Sequence, residues 1–386
     1  MPGKELQMKV VVAIDSLKGS LTSLEAGAAV RDGIRKADPD AEVVIRPVAD
    51  GGEGTVEALV LGMNGRPETV MVTGPLGKPV SCIYGILEKQ RTAVIEMSGA
   101  AGITLVSARE RNPLDTTTYG VGEVIRDAVN KGCRSFIIGI GGSATNDGGV
   151  GMLQALGWSF LDKDGRQVPF GARGVGLIER IEDDRVLPEL KKCTFKIACD
   201  VTNVLCGEQG CSAVFGPQKG ADAGMVLQMD RYLAGYAQLT KEKYPNADAS
   251  FPGSGAAGGM GFAFRSYLNG SLESGVKIIL DETGLEKDIM NADVVVTGEG
   301  RLDSQTTMGK APAGVAELAK KYGKPVIAFA GCVTEDAGAC NDAGIDAFFP
   351  ILRSAVTAEE AMNRDTAINN MMKTAEQVFR LLKVKV

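Results

Sequence analysis

The chain has 386 residues, 44% hydrophobic and 23% charged, enough for one large or two ordinary domains with little room for bulk disorder. Its formal net charge of −6 argues against broad contact with nucleic acid or an anionic membrane surface. There is no histidine, which excludes His-dependent triads and His-ligated zinc, while 50 glycines are well above the usual share of about 7%.

Residues 1–7 precede Met8, where the first strand begins, and read as an N-terminal extension. "KVVVAI" (9–14) predicts a short buried strand and "DSLKGS" a loop. Thr22 with Glu25 forms a capping-box pattern that opens a helix ending before Pro39. "AEVVIRPVA" then reads as a strand, "DGGEG" as a loop and "TVEALVLG" as a helix. Residues 70–97 look like hairpin strands around "GPLGKP" and "LEKQRT". The strand–loop–helix order returns at "CRSFIIGI", "GGSATNDGG" and "VGMLQALG", and residues 159–215 break it again with a "DKDG" turn. It returns once more at "ADVVVT", "GEGRLDSQ" and the following helix, and then at "KPVIAFAG". From Thr357 onward, Ile368, Met371, Ala375, Val378 and Leu382 share one helical face that reads as core, with Glu360 completing a second capping box.

Short, continuously apolar strands alternating with helices predict an α/β fold with a doubly wound, mainly parallel sheet covered on both faces. The expected α/β domain comprises residues 1–75, 118–158 and 255–386. Residues 76–117 and 159–254 are expected to form a smaller inserted unit with a mixed sheet. The eight cysteines contain no C-x-x-C pair, and no secretory signal or long apolar run is seen, so the expectation is a reduced, cytoplasmic protein without membrane contact.

Five loops rich in glycine and carboxylates fall after predicted strands: 15–20, 50–54, 141–149, 253–261 and 298–303. In open α/β sheets ligands bind outside the carboxyl ends of strands, and glycines let backbone N–H groups approach an anion. No G-x-x-x-x-G-K-[ST] occurs. "GIGGSA" (139–144) fits G-x-G-x-x-A after a strand but lacks the acid that should follow about 20 residues on, and "GSGAAG" (253–258) follows no strand. Carboxylates beside phosphate-cradling loops call for an intervening Mg²⁺, while Lys18, Lys219, Arg301 and Lys310 could supply cations. The residues by themselves point to a Mg–nucleotide phosphotransferase. Two other readings stay open: an NAD-dependent oxidoreductase and a non-catalytic ligand-binding protein.

The ordered segments "AIDSLKGSL", "VADGGEGT", "TTTYGVGEVI", "IGIGGSATNDGG", "CDVTNVLCG", "AVFGPQKGA", "PGSGAAGG" and "VVVTGEGRLDSQTTMGKAP" resemble the signature segments of the bacterial type-1 glycerate kinases, from Met8 onward. The resemblance implies ATP- and Mg²⁺-dependent phosphorylation of glycerate, usually on the 2-hydroxyl, in glyoxylate and related organic-acid metabolism. A 3-kinase or a kinase of a related sugar acid is the alternative within that class. It also implies a second domain inserted into the α/β domain, with the active site in the cleft between them. Strand-end position and residue type then suggest roles. Gly141, Gly142, Ser143, Gly255, Gly258, Gly259 and Lys310 are expected at ATP, and Asp50 and Glu299 at the metal. Asp15, Ser16, Asn203 and Asp303 are expected at glycerate. Asp200 would orient the hydroxyl, with Lys18 and Arg301 as catalytic cations, although Arg301 could instead pair with Asp303 or Glu299. Glycerate and ATP are thus the expected partners, with no nucleic acid and room for a homo-oligomer.

Overall fold

The computed structural model describes residues 7–49, 54–63 and 65–384. The first two strands are β1 (Lys9–Val12) and β2 (Glu42–Ile45). Next come β3 (Arg66–Thr73), β4 (Pro79–Leu87), β5 (Thr92–Glu96), β6 (Ser135–Gly139), β7 (Ser159–Leu161), β8 (Arg180–Glu182), β9 (Thr194–Ala198) and β10 (Ser271–Glu273). The last three are β11 (Val294–Leu302), β12 (Val326–Val333) and β13 (Ala347–Pro350). The fold is mixed α/β with mainly parallel pairing, as the alternating pattern implies.

The chain divides into two compact units. The first, residues 7–49, 57–63 and 276–384, holds a five-stranded sheet of order β13-β12-β11-β1-β2 in which every pair is parallel. Within this unit that is the 2-1-3-4-5 order of a doubly wound sheet, with its switch point between β1 and β11. Val10, Val11 and Val12 are fully buried, as a strand covered on both faces must be. The helix Ser23–Ala37 begins at the expected capping box: Thr22 accepts from the Glu25 backbone, and the Glu25 side chain accepts from the Thr22 backbone. It packs in one core with the C-terminal helix, whose Ala367, Met371, Ala375, Val378 and Phe379 are buried. That C-terminal region is two helices. Ala358–Met362 ends at Asn363, which caps Arg364–Leu382 by accepting from the Thr366 N–H at 3.1 Å. Leu382, expected on the core face, is exposed, and Phe379 takes the buried position.

The second unit, residues 54–56 and 65–275, is built on a six-stranded sheet of order β10-β9-β6-β5-β4-β3. The β3–β4–β5 meander is antiparallel and the other pairs are parallel; β7 and β8 form a separate hairpin. Its boundaries differ from the expected ones. β6 pairs with β5 (Ser135↔Thr92) and with β9 (Ser135↔Thr194), so residues 118–158 share the sheet of the expected insertion. The helix Ala256–Leu268 packs into the same core. The mixed-sheet unit is therefore the larger of the two. The strand–loop–helix pattern does not encode which sheet a strand will join, because the partner lies far away in sequence.

Phe379 is 1% exposed in the core of the first unit. Phe379→Ala should lower unfolding free energy by about 3–5 kcal/mol, as read by urea denaturation. A change within about 0.5 kcal/mol would mean that the C-terminal helix is not part of this core.

Candidate active site

In the first unit the pairing of β1 with β11 continues beyond β1, where Ala13 N–H donates to Val296 O at 2.7 Å and Asp15 N–H to Gly298 O at 2.9 Å. The following turn closes through reciprocal Leu17 and Leu21 backbone bonds of 2.9 and 3.0 Å, and Ser23 Oγ donates to Ile14 O. The loop 15–20 is thus held against β11. β11 itself is longer than the sequence implied, since Gly298, Glu299, Gly300 and Arg301 lie in the strand. Its close fit to β12 requires glycine at 298, where a Cβ would lie 1.9 Å from Phe329 O. Strand periodicity then puts Glu299 and Arg301 on the same face.

Asp303 caps the short turn Ser304–Thr307, accepting from Gln305 N–H at 3.0 Å, and the helix Ala311–Lys321 starts directly after Lys310. This turn brings Thr306 Oγ1 to Glu299 Oε1, to which it donates at 2.7 Å. Lys310 Nζ stands 3.6 Å from Glu299 Oε2 and 3.9 Å from Asp303 Oδ1, and Arg301 Nε is 3.5 Å from Asp303 Oδ2. Burial raises the Glu299 carboxyl above its ordinary range, opposed by the Thr306 hydrogen bond and the Lys310 charge. These groups open onto a cavity of about 500 Å³. Asp15, Ser16, Lys18, Glu299, Arg301, Asp303 and Lys310 form its polar side, with Leu17, Ile351, Leu352 and Met362 among its apolar lining.

In the second unit the loop after β6 begins with the exposed Gly141 and Gly142, and Gly142 has φ +69°. Ser143 is buried, and Lys219 Nζ donates to its Oγ at 2.7 Å and to Thr145 O at 2.6 Å. Lys219 is 2% exposed, and burial lowers its pKa to about 8. Asp147 is fully buried. Its Oδ2 accepts from Thr118 N–H, Thr118 Oγ1 and Gly151 N–H at 2.8, 2.9 and 3.3 Å, and its Oδ1 from Gly149 N–H at 3.1 Å. Burial raises this carboxyl, and the hydrogen bonds to Thr118, Gly149 and Gly151 oppose the shift. Asp147 therefore pins the loop to the start of the helix Val150–Ala155.

Asp200 is exposed beyond the end of β9, where its Oδ1 accepts from Gly275 N–H at 3.1 Å. Asn203 follows on the same loop, and its Nδ2 donates to Gln209 O. Gly255, Gly258 and Gly259 are buried where backbone meets backbone. A Cβ at Gly258 would lie 2.1 Å from Thr145 O, and one at Gly255 would lie 2.2 Å from Val204 O.

Seven of the residues singled out in the sequence thus line one cavity in the first unit. In the second, Gly141–Ser143 lie on one loop and Asp200 and Asn203 on another. Asp50 lies outside the described residues. No group of three or more His, Cys, Asp or Glu side chains among the described residues is arranged to hold a metal ion. The full burial of Lys219 and the hydrogen bond of Thr306 to Glu299 carry no sequence signal, since neither is a matter of spacing.

Residues 10–383 match the model of the glycerate kinase family. The chain belongs to that family. It is 45% identical over 377 residues to the glycerate 2-kinase of Escherichia coli K12, covering 98% of each chain. It is 46% identical to the glycerate kinase of Haemophilus influenzae, covering 98% of this chain and all of the relative. A crystal structure of a candidate glycerate kinase 2 from Salmonella typhimurium LT2 superposes with a TM-score of 0.91 at 45% identity, covering 98% of both chains. As a member of this family the chain is an enzyme, a phosphotransferase with an alcohol group as acceptor. No helix among the described residues is long and apolar enough to cross a membrane.

The Lys219 environment has a consequence for stability. Its folded pKa of about 8 lies below the ordinary 10.5, so between those values the unfolded chain binds more protons. Stability of the wild type relative to Lys219→Met should rise with pH across that window, by up to about 1.4 kcal/mol per pH unit. Urea unfolding of both proteins from pH 7.5 to 10 checks this, and a difference that stays flat would count against a penalised ammonium.

Proposed function

We propose that the chain transfers the γ-phosphoryl group of ATP to the 2-hydroxyl of glycerate with the help of Mg²⁺. The observation that carries this reading is the placement of Lys310 against both Glu299 and Asp303 in a cavity at the sheet's switch point. Phosphoryl transfer needs cations for the developing charge, and Mg²⁺ sites of this kind use one or two carboxylates plus phosphate oxygens. Glu299 and Asp303 are a fitting donor pair, which moves Asp303 from the glycerate role expected from the sequence to the metal. They would hold the ion, which when bound supplies charge neutralisation at the phosphates. The name of the Escherichia coli relative supports the 2-position.

In the reaction the glycerate oxygen bonds to the γ-phosphorus, the bond to the bridging oxygen breaks, and ADP leaves. The alcohol proton passes to a carboxylate. Asp200 is the proposed acceptor: it is exposed at a strand end, and a loose transition state asks for proton removal only late, so an ordinary carboxylate suffices. Arg301 and Lys18 are proposed to stabilise anionic oxygens, and the Gly141–Ser143 loop presents backbone groups to an anion. The free state of all eight cysteines fits the reduced, cytoplasmic setting expected of such an enzyme.

Purified protein incubated with Mg-ATP and racemic glycerate should give 2-phosphoglycerate by phosphorus NMR. Formation of 3-phosphoglycerate instead would overturn the position, and absence of any phosphoester the reading itself. Asp200→Asn should lower kcat by about 10²-fold or more while leaving the KM for ATP within about twofold; near-wild-type turnover would remove Asp200 from the proton path. Glu299→Gln should raise the Mg²⁺ concentration for half-maximal rate by about tenfold, as read by metal titration.

A further inference from the structure

The cavity of the first unit is too large for the small substrate alone. It measures about 500 Å³, within the range of about 300–1,000 Å³ typical of pockets for nucleotide- or drug-sized ligands. A three-carbon acid would leave most of it empty. Its two sides also differ in chemistry. One carries the carboxylates and cations around Glu299. The other is built from the end of β13 and the helix Ala358–Met362, with Ile351, Leu352, Ala358, Ala361 and Met362. Leu352 is 40% exposed and Met362 48% exposed, so this concave wall presents apolar side chains to solvent. An apolar wall joined to a cationic, carboxylate-bearing floor suits a ligand with a flat apolar end and a polyanionic end.

Topology adds a second, independent pointer. The cavity lies at the carboxyl ends of β1 and β11, the point where strand order reverses, which is where doubly wound sheets of this order bind nucleotides. We infer that the apolar wall formed by Leu352, Ala358, Ala361 and Met362 holds the base and ribose of ATP, with Lys310 at the polyphosphate end. The inference rests on the ATP-dependent reading above and concerns the nucleoside moiety only.

Cys332 also lines this cavity and is exposed as a free thiol, so it reports occupancy in the unmodified enzyme. ADP should slow iodoacetamide labelling of Cys332 several-fold, read on the tryptic peptide 322–353 with fragmentation to separate Cys332 from the buried Cys340, and glycerate should not. In Ala361→Trp, which narrows the cavity, ADP affinity by calorimetry should fall at least tenfold. The KM for ATP should rise correspondingly, with the KM for glycerate unchanged. Inhibition by tripolyphosphate, which lacks a nucleoside, should be the same in wild type and variant.

Wild-type ADP affinity in Ala361→Trp would overturn the inference. So would equal weakening of tripolyphosphate and ADP, or Cys332 protection by glycerate and not by ADP. If Ala361→Trp fails to fold, the labelling of the wild type decides alone. ADP protection without turnover of glycerate would sink the glycerate reading and leave the nucleoside site standing. Turnover of glycerate with unprotected Cys332 would do the reverse.

Discussion

The parallel pairing of β1 with β11 is the constraint on which the first unit's site depends. Val10, Val11 and Val12 lie beside Val294, Val295 and Val296, and the bond from Asp15 N–H to Gly298 O carries the pairing into the loops. The paired valines are 284 positions apart in the chain of 386 residues. Without the pairing, Asp15, Ser16 and Lys18 would have no fixed relation to Glu299, Arg301 and Asp303. The pairing also sets the reversal in strand order that opens a crevice at the sheet's edge. β12 then presses so closely on β11 that only glycine fits at 298, and the carboxylate next to it is buried enough for its pKa to rise.

The two units handle charge differently. Around Glu299 the cations stand at 3.5 to 3.9 Å from their carboxylates, and Arg301 is largely exposed, so the groups remain available to an incoming anion. In the second unit Lys219 and Asp147 are both enclosed: Lys219 donates to Ser143 and Thr145 of the loop 143–151, and Asp147, within that loop, accepts from Thr118 and from Gly149 and Gly151. Burial disfavours both charges, lowering Lys219 and raising Asp147. Charges buried in this way are weak support for stability, but their hydrogen bonds hold the loop in one conformation. The exposed Gly141 and Gly142 sit at the start of that fixed loop.

Much of the local structure was legible from the residues. The capping boxes at Thr22/Glu25 and Thr357/Glu360 form as their spacing implied, because both partners lie within one turn of a helix. The buried strands 9–12 and 294–297 announced themselves as apolar runs, and the hairpin signals over 70–97 marked the meander, whose first strand starts four residues earlier at Arg66. That Asp15 and Lys18 lie on the same edge as the 298–303 segment was legible from the parallel strand order, although Glu299 and Arg301 lie in the end of β11 itself and Lys310 joins them from the start of the next helix. Less legible were the break at Asn363, where a side-chain cap competes with helix continuation, and the packing role of Gly255 and Gly258.

By itself, then, the sequence determined the class of elements, the absence of any imidazole chemistry, the family resemblance and the residues from which a phosphotransfer site could be drawn. Those are properties of short segments, set by side-chain type and by contacts a few residues apart. The tertiary structure alone decided that residues 135–139 join β5 and β9, making the mixed-sheet unit the larger one. It alone decided that β11 runs on to Leu302, that Lys219 is sealed against Ser143 and Thr145, and that an apolar wall faces the Glu299 cluster. Strand partnership and burial arise from the simultaneous packing of segments distant in the chain, and no local pattern encodes which of them will meet.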